Sequence, residues 1–314
     1  MEKPLVSLCI YTYKQENFVR ETLEAAVAQD YPNLEILVSD DCSPDNTFSV
    51  IEQFAKEYKG PHKLIINRND SNMGIAGNVM KLFYMSHGEY IVNNCGDDLS
   101  VPDRVSRSVK AIQKEGVESM SFAMSPFGVS VAKTGFFTDE ENKTVHYTMN
   151  DYLMGHYHSS GASRIMTRKI VDYFGSLNSD CPTEDSTFTL RAFLLGGLSY
   201  SYEHLVNYRI HGENTSRGAT YFKRINPEPI YRQYITDINT ALSKGLIIQT
   251  VYDSLKMKFD LYLEQELALR DVFFSGGIFK RAIRLSKYIV SKEINVGTKK
   301  TLMRRYLSWI KHNI

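Results

Sequence analysis

The chain has 314 residues, 43% of them hydrophobic, with 37 Lys and Arg against 36 Asp and Glu. That length suits one large α/β domain with a smaller appendage, and so even a charge balance argues against nucleic acid as a partner. The four cysteines, Cys9, Cys42, Cys95 and Cys181, show no CxxC spacing, so a reducing compartment is expected. No run reaches the ~18 apolar residues of a membrane span, and Met1-Glu2-Lys3-Pro4 leads straight into a strand. A cytoplasmic protein is expected, soluble or peripheral on the inner face of the membrane.

In chain order, Val6 to Thr12 reads as a buried strand, and residues 18–29 as a helix with Phe18, Leu23 and Val27 facing the core. Leu34 to Ser39 is a second strand, ending in Asp40-Asp41. Asp45 is placed to cap a helix carrying Phe48, Ile51 and Phe54. Lys63 to Ile66 forms a third strand, residues 78–86 a helix and Glu89 to Asn93 a fourth strand. This alternation predicts a mostly parallel sheet with crossover helices. Ligands gather at the carboxyl ends of such strands, which points to Tyr11 to Tyr13, Asp40-Asp41 and Gly96 to Asp98. Residues 118–220 are more mixed; they hold a helix from Glu184 to Gly196-Gly197 and a strand from His204 to Ile210. From Pro227 onward the pattern is helical.

The strongest local signal is Tyr90-Ile91-Val92-Asn93-Asn94-Cys95-Gly96-Asp97-Asp98, followed by Pro102-Asp103. Adjacent carboxylates at a strand end favour a nearby cation, and Mg²⁺ or Mn²⁺ completes a shell of few carboxylates with phosphate oxygens. A solvated turn capped by Asp98 is the alternative that spacing alone leaves open.

Taken together, VSLCIYTYKQENF, EILVSDDCSPDNT, NMGIAGN, GEYIVNNCGDDLSVPDRV, TEDSTFTLRAFLLGG and LVNYRIHGENTS, in that order, resemble glycosyltransferase family 2 with its GT-A fold. The resemblance covers residues 4–217. It implies that Tyr11, Thr12 and Tyr13 meet the nucleotide base, with Tyr13 flanking the ring and Glu16 beside it. It implies that Asp41 accepts a hydrogen bond from an imide N–H, which suits uracil or thymine and disfavours cytosine. Asn72, Gly74 and Asn78 match the segment near base and ribose, Gly74 allowing close backbone approach.

Within the metal motif, Cys95 stands where the family usually has a first aspartate, Asp97 takes the metal-binding position, and Gly96 and Asp98 flank it. Asp185, in Glu184-Asp185, is implied as the general base, and one base without a nucleophile implies inversion at the anomeric carbon. The same acids also suit a helix N-terminus. Arg191 falls in the same helix pattern, where a nearby carboxylate is its expected partner. His211 is implied near the diphosphate as a metal or phosphate contact, with Arg209 and Arg217 as further positive charge. His156 and His158 border the implied acceptor side.

Beyond residue 227 the resemblance fades. Between Lys280 and Lys311, ten basic residues face Glu293 alone, a net charge of +9 among Phe279, Ile283, Tyr288, Leu302, Tyr306, Trp309 and Ile310. Such a segment suits an anionic membrane surface, a packed helical pair with solvated basic faces, or a dimer contact.

The reading is therefore an α/β, GT-A-like catalytic domain over residues 1–220, with a nucleotide half (1–117) and an acceptor half (118–220), and a helical region over 221–314. The implied reaction is inverting transfer from a UDP-sugar (a dTDP-sugar second) to a glycan or lipid-linked glycan acceptor, with Mn²⁺ or Mg²⁺, in cell-surface polysaccharide synthesis. A nucleotidyltransferase would carry a Gly-rich loop after the first strand, and residues 11–20 hold no glycine. A non-catalytic sugar-nucleotide-binding scaffold is the remaining rival, favoured by Cys95 and opposed by Glu184-Asp185.

Overall fold

A computed structural model describes residues 3–128, 143–212, 225–274 and 276–313; the side chains at 278, 279 and 308–313 fall outside the description. Contacts divide the chain into two compact units, 1–224 and 225–314.

The first unit is built on a nine-stranded sheet. Strands β1 (Val6–Thr12), β2 (Leu34–Asp40), β3 (Lys63–Arg68) and β4 (Tyr90–Cys95) are all parallel, in the order β3-β2-β1-β4. Every residue of β1 and β2 is buried, which is why they read as near-continuous apolar runs: helices cover both faces of a parallel sheet. Helix α1 (Val19–Val27) buries Val19, Leu23 and Ala26, spaced four and three apart. These join Ile51 and Phe54 of α2 (Thr47–Glu57) in the core above β1 and β2. Each fully buried Val, Leu or Ile there contributes roughly 1.5–3 kcal/mol. Phe18 is only partly buried and stands at the N-cap of α1, so its expected core role passes to Val19.

Helix α3 (Gly74–Met85) begins at a glycine with φ +73°, a left-handed conformation that favours glycine. The short strand β5 (Leu99–Ser100) follows β4, and α4 (Arg104–Glu115) stops at Gly116, whose φ of +65° supplies the left-handed C-cap.

The second half of the sheet is mixed. It comprises β6 (Ser119–Gly128), β7 (Thr144–Tyr147), β8 (Ile165–Thr167) and β9 (Leu198–Ile210), with helices α5 (Met149–Met154), α6 (Lys169–Asp172) and α7 (Asp185–Leu194). β8 runs antiparallel to both β4 and β6, whereas β9 runs parallel to β6 and antiparallel to β5 and β7. β9 is 13 residues long and starts six residues before the strand expected from sequence. The β6–β9 register shifts around Ala123, a bulge-like irregularity that bends a long strand.

The second unit holds α8 (Pro227–Ser243), α9 (Gln249–Phe274), α10 (Ile278–Val290) and α11 (Val296–Asn313). Asn226 caps α8 by accepting from the Glu228 N–H, with Pro227 in the first turn. Ala268, Leu269 and Val272 of α9, Leu285 of α10, and Leu302 and Tyr306 of α11 form a separate core. Among the described residues no helix is long and apolar enough to cross a membrane.

Candidate active site

The carboxyl ends of β1, β2 and β4 lie side by side: Thr12 pairs with Asp40, and Tyr11 with both Ser39 and Cys95. The three rim segments expected from sequence are thus adjacent. Thr12 turns inward, its hydroxyl donating to the Ser39 carbonyl and to Asp40. Asp40 is buried and braces the turn after β2 by accepting from the Ser43 N–H at 2.9 Å. Tyr13 and Lys14 are exposed at the rim, the Lys14 ammonium 5.3 Å from the Tyr13 ring. Lys14 and Cys42 are non-glycine residues at φ +56° and +57°, and such backbone strain collects at functional loops.

Asp41 is buried just beyond β2. Its Oδ1 accepts from Asn69 Nδ2 at 2.9 Å and from the Met73 N–H at 2.8 Å. Among the described residues no donor reaches Oδ2. Asn78 is buried behind it, donating to the Ser39 carbonyl at 3.0 Å and accepting from Asn69 at 3.1 Å. Its amide is therefore committed to holding Asn69, which holds Asp41. Asn72 is exposed and accepts from the Gly74 N–H at 3.0 Å, setting the start of α3. Glu16 accepts from the Asn46 backbone and side chain at 2.9 and 2.8 Å, tying the loop after β1 to α2.

The Cys95, Asp97 and Asp98 ligand atoms all lie within 4.8 Å of one another, a grouping of the kind that holds a metal ion. Gly96 leaves no space for a side chain: a Cβ there would stand 2.5 Å from Thr12 Cγ2. Asp98 is fully buried, its Oδ1 accepting from the Arg209 N–H at 2.9 Å and its Oδ2 without a partner. Burial and the neighbouring Asp97 push its carboxyl well above the usual carboxylate range. Two close carboxylates with an orphaned oxygen fit a cation, and Asp97 and Asp98 are the groups suited to a hard divalent ion; His211, expected beside them, is outside that grouping and touches it through Asp97.

β5 and β9 supply the other side of this cluster. Because Leu99 and Ser100 pair with Asn207 and Val206, the end of β9 arrives over the Asp97-Asp98 turn. Arg209 Nε donates to the Asp97 carbonyl at 2.8 Å and its guanidinium meets Glu21 at 2.6 Å. His211 Nε2 lies 2.8 Å from Asp97 Oδ2, its ring 4.7 Å from that of Phe18. Beneath the turn, the buried Arg104 donates to Asn94 Oδ1 at 2.6 Å and to Ser100 Oγ at 2.9 Å. Burial lowers its pKa to about 10, against the pull of Asp98.

Tyr11 joins this cluster to the Glu184-Asp185 pair. The Cys95 thiol donates to its hydroxyl at 3.1 Å. Burial, then Cys95, Glu184 and Asp185, hold the phenol well above its usual range. Glu184 is buried, with Oε2 unpartnered, and burial followed by Asp185 raises its pKa to about 7. Asp185 opens α7 with its side chain 46% exposed, whereas Arg164, its partner at 2.6 Å, is 1% exposed. Arg164 also donates to Ser159 and Thr189 at 2.8 and 2.7 Å. One carboxylate oxygen of Asp185 is thereby held and the other is open. Gly161 packs on that carboxylate, where a Cβ would stand 2.9 Å from Asp185 Cγ.

Other expected residues lie elsewhere. Arg191 donates to the Gly175 carbonyl at 2.8 Å and lies over Phe174 and Phe188. His158 sits among Tyr147, Tyr200 and Tyr202, with ring centroids 5.5–6.4 Å away, while His156 is exposed at the end of α5. Neither belongs to the acidic grouping. Arg217 lies outside the described residues.

Sequence reasoning did not single out Arg104, Arg164, Asn69, Gly161 or the bonding role of Tyr11. Arg104 was within reach: it shares a helical face with Ser108 and Ile112, all three buried, so a cation lay on an apolar stripe. Nothing near Arg164 in sequence signals its partner 21 residues away.

The family model for glycosyl transferase family 2 matches residues 7–174. The putative glycosyltransferase EpsE of Bacillus subtilis is 33% identical over 111 residues, 35% of this chain but only 39% of its own length. An uncharacterized glycosyltransferase of Haemophilus influenzae is 26% identical over 243 residues, 74% of each chain. WfaP of Escherichia coli, named a UDP-Glc:alpha-D-GlcNAc-diphosphoundecaprenol beta-1,3-glucosyltransferase, is 29% identical over 113 residues, 36% of this chain and 43% of its own. Among solved structures, S. aureus TarS 1-349 in complex with UDP-GlcNAc superposes with a TM-score of 0.62 at 17% identity, covering 91% of this chain and 80% of that one. The mannosyltransferase PcManGT of Pyrobaculum calidifontis, in complex with GDP-Man and Mn²⁺, gives 0.54 at 17% identity over 99% and 84%. At that identity the structures speak for the fold alone, and the fold is the expected GT-A type.

Proposed function

The chain belongs to glycosyl transferase family 2, and from that premise we propose that it transfers a sugar from a UDP-sugar to a hydroxyl of a lipid-linked glycan with inversion. The observation that carries this reading is the gathering of Asp41, Asp97-Asp98 and Glu184-Asp185 around Tyr11 at one rim of the sheet. Asp41 Oδ2 accepts the imide N–H of uracil, a donor that cytosine lacks; a dTDP-sugar offers the same group. Tyr13 flanks the base. Asp97, with Asp98 and His211, would hold Mn²⁺ or Mg²⁺, which when bound neutralises charge on the diphosphate.

Asp185 takes the proton from the acceptor hydroxyl through its free oxygen, while Arg164 holds the other. The acceptor oxygen bonds to the anomeric carbon as the bond from that carbon to the β-phosphate oxygen breaks, and UDP leaves with the electron pair. No side chain bonds to the sugar, so its configuration inverts. WfaP, named for a diphosphoundecaprenol-linked acceptor, supports an acceptor of that kind and a role in cell-surface polysaccharide synthesis.

Calorimetric titration with UDP, dTDP, CDP and GDP, each with and without Mn²⁺, tests the donor side. UDP binding that needs Mn²⁺, exceeds CDP binding and weakens at least about tenfold in Asp97→Ala is expected. If no nucleotide bound under either condition, the transferase reading would fall and the scaffold reading would replace it.

A further inference from the structure

The second unit has more apolar surface than its own core uses. On α10, Leu285 faces inward against α9 and α11 with Tyr288 and Ile289 packed beside it, and on α11 Leu302 and Tyr306 do the same. The opposite sides of both helices are left over. Lys280, Ile283, Arg284, Lys287 and Val290 recur at three- and four-residue spacing on α10, as Val296, Lys300, Met303 and Leu307 do on α11. Ile283, Val290, Val296 and Leu307 are 59%, 77%, 64% and 57% exposed. Large apolar side chains at that exposure, repeated along two helices, are unfavourable in water unless something covers them.

The charges on these helices are only partly committed. Arg284 pairs with Asp271, Arg281 donates to the Gly276 carbonyl and Lys299 to the Ser291 carbonyl. The side chains of Lys280, Lys287, Lys300 and Arg304 have no hydrogen-bond or ion-pair partner among the described residues. A second copy of the chain meeting the same face would set Lys280, Lys287, Lys300 and Arg304 against their own like charges, which disfavours it. A nucleic acid would take up the charge and leave the four apolar side chains wet. An anionic bilayer satisfies both: phosphate headgroups meet the ammonium and guanidinium groups, and the acyl boundary receives the apolar side chains.

We propose that the outward faces of α10 and α11 seat the protein on an anionic lipid surface. The inference stands on the second unit alone, and it would bring a lipid-linked acceptor and the enzyme to one surface.

The test is co-sedimentation of the full chain with phosphatidylcholine vesicles, with or without ~30 mol% phosphatidylglycerol, at low and high salt. Binding to the phosphatidylglycerol vesicles alone, weakened by salt, is expected. Combining Lys280→Glu, Lys287→Glu, Lys300→Glu and Arg304→Glu should lower the partition coefficient at least about a hundredfold. Ile283→Ser with Leu307→Ser should lower it roughly tenfold with every charge kept, which purely electrostatic adsorption would not show. Circular dichroism establishes that the variants are folded, and UDP titration shows separately whether the donor site is intact. No binding to phosphatidylglycerol vesicles overturns the proposal, as does binding that survives the charge reversals. A concentration-dependent dimer lost in the Ser variants would assign the face to self-association and overturn it as well.

Discussion

The rim of the first unit and the outer faces of α10 and α11 both concentrate charge of one sign, and they do so under opposite conditions. At the rim Asp41 and Asp98 are buried and Asp185 is half-exposed, and each is fixed by a specific donor: Asp41 by Asn69 and Met73, Asp98 by Arg209, Asp185 by Arg164. On the C-terminal helices Lys280, Lys287, Lys300 and Arg304 stand in solvent, with no side-chain partner among the described residues. Burial makes charge expensive unless paired, so a buried acid with a spare oxygen indicates an absent partner. Exposed charge costs little, so the basic faces become informative only through the apolar residues between them.

Substitutions can break or sharpen this contrast. Asp185→Asn removes the proton acceptor and keeps the bond to Arg164 through its amide oxygen. kcat, followed as UDP release, should fall about 10²–10⁴-fold with UDP affinity unchanged. A comparable loss of UDP binding would mean that Asp185 serves the donor instead. Gly161→Ala places a methyl against the Asp185 carboxylate; a displaced base should lower kcat roughly tenfold or more with little change in donor KM.

Glu184 tests the energetics of rim burial through pH. Its folded pKa of about 7 lies above the ordinary 4.5, so between these values the folded state keeps a proton that the unfolded chain releases. The contribution of Glu184 to stability is therefore fully present below about pH 4.5 and is lost as pH rises to about 7. In Glu184→Gln the part of the thermal-midpoint decline between pH 5 and 8 due to this group should vanish; an unchanged profile would show that the carboxyl is solvated. Smallest of all, Lys287→Ala and Lys300→Ala should shift stability in urea by no more than ~0.5 kcal/mol. A larger shift would show that the basic faces hold the second unit together.

Much of the first unit was readable in the chain. β1 and β2 are apolar because both of their faces are covered, and α1 repeats Val19, Leu23 and Ala26 because one face is. The site's carboxylates were readable too, since motif order brought Asp41, Asp97 and Asp185 forward. Their supports were not. Arg164 reaches Asp185 across 21 residues, Asn69 reaches Asp41 across 28, and Arg209 reaches Asp98 across 111. The role of Asn78 was not legible either: the resemblance placed its segment near base and ribose, and its amide donates to Ser39 and accepts from Asn69. Likewise Phe18, periodic with Leu23, packs its ring at a tilt against His211 instead of entering the core.

By itself the sequence determined the alternation of strands and helices, the rim at which the carboxylates gather and the chemical groups at that rim. Those properties follow from local periodicity and residue type, which neighbours along the chain are enough to define. Only the tertiary structure decided which oxygen of Asp41 and of Asp185 is held and which is free, that Tyr11 and Cys95 join the acidic cluster to Glu184-Asp185, and that α10 and α11 keep an apolar face after their core is filled. Each of those is a matter of partners distant in sequence, and whether a polar or apolar group is satisfied depends on what the whole fold brings against it.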